Sequence, residues 1–116
     1  MNTYQSRLDE RTLEFAKRLL RLCKALPRSI VGNELVKQCV RSGTSIGANY
    51  REANDALGKK NFVYRLRIAR KEAKETAYWL DLILESSPTL KDEVALLLKE
   101  VEEIGKILSS IISKVQ

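Results

Sequence analysis

The sequence predicts an all-α protein, an antiparallel up-down-up-down four-helix bundle, and three observations carry that expectation. Apolar residues recur every three or four positions along almost the whole chain of 116 residues, the spacing of one face of a helix. Breaks fall at only three places, Leu26-Pro27-Arg28-Ser29, Ala56-Leu57-Gly58 and Ser86-Ser87-Pro88. They divide the chain into helices expected over residues 6–26, 29–57, 59–86 and 88–115. Rods of that length, roughly 30 to 40 Å at 1.5 Å per residue, joined by short turns, pack as antiparallel neighbours. With five Gly, two Pro and no Gly/Ser-rich stretch, nothing reads as a linker, so residues 1–116 are expected to form one domain.

The first helix is expected to start near Ser6, with Asp9 three residues on as a capping partner. Leu8, Phe15, Leu19, Leu22 and Leu26 form its core stripe, widened by Leu13, Ala16, Leu20 and Cys23. Pro27 stops it. The second carries Val36, Cys39, Val40, Gly43, Ile46, Gly47, Tyr50, Ala53 and Leu57 inward. Gly43 and Gly47 lie four apart on that face, and each costs about 1 kcal/mol relative to Ala in a helix interior. Close approach of a neighbouring helix is the compensation expected. Gly58 reads as a left-handed cap.

The third helix turns Phe62, Leu66, Ala69, Ala73, Ala77, Leu80 and Leu84 inward. Its other side carries Tyr64, Ile68, Trp79 and Leu82, a second apolar face that needs a second partner and is expected to be a subunit interface. Between the faces runs a basic stripe of Lys60, Arg67, Arg70, Lys71 and Lys74, one wall of a phosphate-contacting surface. Pairing of Arg67 and Lys71 with Glu72 and Glu75 on the same helix would instead leave it a neutralised, solvated face. Ser87 and Pro88 open the fourth helix as N-cap and first helical residue. Leu90, Val94, Leu97, Val101, Ile104, Leu108, Ile111 and Val115 make its seam, with Leu96 and Ile107 pointing outward.

Composition excludes several chemistries. The chain has no histidine and two cysteines, so it lacks the usual general base and cannot assemble an ordinary structural zinc site alone. No cofactor and no enzymatic activity are expected. Cys23 and Cys39 read as buried reduced thiols, able to form a disulfide only if their helices bring them together. No segment is apolar enough to span a bilayer or to act as a signal peptide, so a cytoplasmic protein without a membrane partner is expected. The net charge of +6 is uneven: residues 1–74 hold 17 Lys and Arg against 7 Asp and Glu, and residues 75–116 hold 4 against 8. Such asymmetry suits a polyanion, or a basic face of one subunit meeting an acidic face of the next.

Arg41 through Ala53, together with Phe62 through Leu82 and above all Ile68-Ala69, Lys71-Glu72-Ala73, Glu75-Thr76 and Tyr78-Trp79-Leu80, resemble the bacterial four-helix-bundle family of 23S rRNA intervening-sequence proteins. Gly47 and Asn61 depart from its pattern, standing where proline and an acidic residue are usual. The resemblance implies a left-handed antiparallel bundle assembling as a homopentamer, with no established activity; a distant relative with the same architecture accompanies a retroelement reverse transcriptase. Carried onto this chain, the motif marks Ser45, Asn49, Glu52, Lys71, Glu72, Glu75 and Trp79, expected as a polar network between helices or subunits. The leading expectation is a non-enzymatic oligomer that binds RNA or a ribonucleoprotein. The alternatives are a purely structural or protein-interaction module, and a carboxylate-based or di-metal enzyme using Glu52, Glu72 and Glu75.

Overall fold

The structure is a computed structural model that describes residues 3–116, with side chains from Arg7 onward. Four helices, α1 (Thr3–Ala25), α2 (Ile30–Asn54), α3 (Lys59–Ser86) and α4 (Lys91–Val115), form a helical bundle of 44 × 22 × 19 Å, and no strand occurs among the described residues. Each helix packs on two others, α1 and α3 both lying between α2 and α4.

The helix ends depart from the sequence reading in informative ways. α1 already runs from Thr3, so Ser6 lies inside it rather than capping it, and the Ser6 side chain lies outside the described ones. The Ser29 hydroxyl caps α2 by accepting the Gly32 N–H at 2.9 Å. α2 stops at Asn54, three residues short of the expected Leu57, which is 88% exposed and leaves the core stripe. Gly58 does have a positive φ of 86°, but with ψ at 158° it is the entry to α3 rather than a left-handed cap on α2. Pro88 begins a 3₁₀ turn, Pro88–Leu90, ahead of α4, and Ser87 makes no side-chain cap. A proline ring at the first position tolerates either helix type because the N–H it lacks has no partner there.

One apolar core is shared by all four helices. Leu8, Phe15, Leu19, Ile46, Tyr50, Leu66, Leu80, Ile83, Leu97, Ile104 and Leu108 are its largest enclosed side chains. Truncating any of these aliphatic residues to alanine costs about 2–5 kcal/mol by general experience with cores. Val63, Thr76 and Ile83 join the enclosed face of α3 beside the expected stripe, whereas Leu13 and Leu20 of α1 stay substantially exposed. Leu96 faces outward as expected, but Ile107 packs against the core. The reason is geometric: a helix with neighbours on two sides buries an arc wider than one stripe, and α1 is the helix least covered by its neighbours.

Gly43 and Gly47 show why small residues line α2. A Cβ on Gly43 would overlap the Leu19 side chain of α1 and come within 3.6 Å of the Thr76 methyl of α3; one on Gly47 would stand 2.9 Å from the Thr12 hydroxyl. α1 therefore lies against α2 at a distance set by missing side chains. The same approach brings Cys23 and Cys39 together as buried free thiols, where the neighbouring thiol and burial push Cys39 up. Across the seams, partner numbers fall as chain numbers rise: Asp9 lies by Arg51 and Thr12 by Gly47, while Ser42 meets Thr76 and Asn49 meets Arg65. Arg11 ties α1 to α4 with a two-pronged pair to Glu100 at 2.7 and 3.0 Å and a third bond to Glu103 at 2.9 Å.

Two glycines give opposite expectations. Gly43→Ala gains helix propensity of about 1 kcal/mol but overpacks a closed core, at a cost of about 1–3 kcal/mol, and is expected to lower the urea midpoint. Gly105→Ala on α4, where an added Cβ meets nothing within 4 Å, is expected to raise stability by about 0.5–1 kcal/mol. Equal shifts of the two midpoints would contradict the packing described.

Candidate nucleic-acid interface

The exposed line of α3 runs Lys60, Tyr64, Arg67, Lys71, Lys74 and Tyr78, spaced alternately by four and three so that all lie on one side. Each is exposed. Arg70, expected with them, is instead half-buried toward α4, its guanidinium 3.4 Å from the Ser109 hydroxyl. Tyr64, expected with the apolar face, belongs to the cationic line. The remaining three of that face, Ile68, Trp79 and Leu82, are half-buried along the α2 side of α3.

What decides the charge between Lys60 and Lys74 is where Glu72 and Glu75 go; Asp81 and Glu85, both exposed, continue the same line beyond Tyr78. Glu72 and Glu75 do not neutralise Arg67, Lys71 or Lys74. Both are engaged by Arg41 of α2, which bonds Glu72 at 3.2 Å and pairs with Glu75 as well. The Trp79 indole N–H donates to the same Glu75 carboxylate at 3.3 Å. Among the described residues Lys60, Arg67, Lys71 and Lys74 form no ion pair. Unopposed cations on a rod are the ordinary footprint of phosphate contact.

The motif residues separate into distinct roles. Glu72, Glu75 and Trp79 join Arg41 in one cluster. The Asn49 side chain donates to the Ser45 carbonyl at 2.9 Å and accepts from Arg65 of α3 at 3.3 Å. Ser45 turns its hydroxyl onto the Arg41 carbonyl of its own helix at 2.6 Å. Glu52 is exposed beside Asn61, Tyr64 and Arg65 and enters none of these bonds. Beneath Arg41, the hydroxyls of Ser42 and Thr76 meet at 2.9 Å with no solvent exposure, each also reaching a carbonyl of its own helix. The sequence marks the carboxylates but not Arg41 as their hub; its place at the head of the Arg41 to Ala53 motif stretch was the available signal. Among the described residues no group of His, Cys, Asp or Glu could hold a metal ion, and no helix is long and apolar enough to cross a membrane.

The Glu75 carboxyl is held below its ordinary 4.5, first by the Trp79 N–H and then, against partial desolvation, by Arg41. A depressed carboxylate contributes stability that is present above its unfolded value and lost as pH falls through the folded one. Trp79 emission is therefore expected to titrate below about pH 4.5, and Arg41→Gln to move that midpoint upward. An unmoved midpoint would show that Arg41 does not carry the Glu75 charge.

Comparison with known proteins bears on the fold and the family. Among curated proteins no match is found. A solved structure, that of a protein of unknown function from the S23 ribosomal protein family of Bacteroides thetaiotaomicron, is 38% identical, with 96% of this chain and 99% of that one covered and a TM-score of 0.83. The family model described as 23S rRNA-intervening sequence protein matches residues 5–110. With nearly the whole bundle matched, including both halves of the Arg41 cluster, the chain belongs to the 23S rRNA-intervening sequence protein family.

Proposed function

We propose that this protein is a non-enzymatic, oligomeric RNA-binding protein whose contact surface is the exposed line of α3. The observation that carries this reading is the diversion of Glu72 and Glu75 to Arg41, which leaves Lys60, Arg67, Lys71 and Lys74 without acidic partners. The relatives' names, with their ribosomal and 23S rRNA labels, support RNA as the polyanion. The protein is read as cytoplasmic and as one domain, with helices running up, down, up and down. Short connections and the opposed order of partners across the α1–α2 and α2–α3 seams support that topology.

The family resemblance adds a homopentamer. The half-buried Ile68 and Leu82, beside the Arg41 cluster and off the cationic line, are the residues assigned to the subunit contact, so assembly and RNA binding use different sides of one helix. A second reading, an interaction module with no nucleic-acid contact, draws on this apolar side alone.

Titration with structured RNA is expected to show an affinity that falls steeply with salt, because each phosphate contact releases counterions. Lys71→Glu combined with Lys74→Glu is expected to weaken binding more than about tenfold and to flatten the salt slope by about 1 to 2. Absence of binding at low salt sinks the RNA reading and favours the second. Light scattering is expected to give five times the 13.2 kDa chain mass, with Ile68→Glu lowering it; a monomeric wild type would remove the assembly.

A further inference from the structure

Phosphate contact requires only cations, yet the α3 surface offers two other features. Tyr64 and Tyr78 stand within the cationic line, each 59% exposed. Both rings are braced: the Arg65 guanidinium lies 5.9 Å from the Tyr64 ring centre, and Trp79 meets Tyr78 edge to face at 5.1 Å. At 1.5 Å per residue they are about 21 Å apart along the helix, too far to hold neighbouring bases of one stack and well placed to hold two separate bases of one strand.

The second feature is a groove of about 500 Å³ between α3 and α4, within the size range of small-molecule sites. Ala73, Ala77, Val101 and Gly105 give it an apolar lining, and around them stand three cations, Arg70, Lys74 and Lys106, with the Ser109 hydroxyl and one carboxylate, Glu102. Lys74 belongs to both the groove and the exposed line. A flat aromatic ligand bearing a phosphate matches this arrangement: the apolar lining takes the ring and the cations take the charge.

From these two features we infer that the ligand of α3 is single-stranded rather than duplex nucleic acid, with unpaired bases stacking on Tyr64 and Tyr78 and one base entering the α3–α4 groove. The inference rests on the RNA-binding reading above and narrows it. Paired bases keep their faces inside the stack and would leave both tyrosines and the groove without work. A splayed strand presents faces to aromatic rings and phosphates to cations at the same time.

The test is fluorescence anisotropy at fixed salt with a single-stranded RNA 12-mer, the same 12-mer annealed to its complement, and heparin as a polyanion without bases. The single strand is expected to bind at least tenfold more tightly than the duplex. Tyr64→Ala with Tyr78→Ala is expected to weaken the single strand at least tenfold while leaving duplex and heparin within about twofold. Gly105→Leu, which fills the groove at a position with room for a side chain, is expected to weaken the single strand severalfold with helicity by circular dichroism unchanged. Equal affinity for single strand and duplex, or a tyrosine double variant that binds the single strand like wild type, overturns this inference while the cationic surface stands. Failure of all three probes to bind overturns the RNA reading itself and assigns the line to a protein contact.

Discussion

The seam between α2 and α3 is the constraint on which the rest of the surface depends. One guanidinium, Arg41, holds two carboxylates from the neighbouring helix, and directly beneath it a closed pair of hydroxyls, Ser42 and Thr76, fixes the axial register. A buried hydroxyl without a partner costs on the order of 1–3 kcal/mol, so sliding either helix by a turn would lose both interactions together. With the register fixed, Glu72 and Glu75 face α2 while Lys60, Lys71 and Lys74 face water. The charge separation is thus a consequence of helix packing, and the line would become an ordinary mixed-charge face if Arg41 were elsewhere.

The other side of α2 is governed by steric constraint rather than charge. Gly43 is hemmed by Leu19 on one flank and the Thr76 methyl on the other, and Gly47 by Thr12. The helix that supplies Arg41 to α3 therefore also accepts α1 at close range. That places the small residues and the ionic hub within one stretch, Arg41 to Gly47, and explains why so much of the architecture is concentrated there. Cys23 and Cys39 are brought together by the same approach, as a by-product of glycine spacing.

Much of this was legible in the chain. Helix number, order and the core of α4 follow from the periodicity, because one-sided burial forces a repeat of three and four. The ends were less legible: α2 stops before Leu57 and α4 opens with a 3₁₀ turn, choices made by local hydrogen bonding that apolar spacing does not report. On α3 the spacing identified cations and aromatics but assigned Tyr64 to the apolar side and Arg70 to the exposed line. Both are positions near the border of a stripe, where a rotation of a few tens of degrees decides the neighbour. The fate of Glu72 and Glu75 could not be read from one helix at all, since the competing partner lies 31 and 34 residues away.

The clamp on Glu72 and Glu75 is built from a guanidinium, and the chain contains no imidazole. Neighbouring carboxylates raise the Arg41 pKa further while Glu75 is pushed lower, so both ends of the clamp keep their charge across the whole neutral range. A surface exposed by such a clamp has no acidity sensor within it. Attraction of the exposed cations for any polyanion would therefore be graded by the ions around them rather than by the protonation of an imidazole.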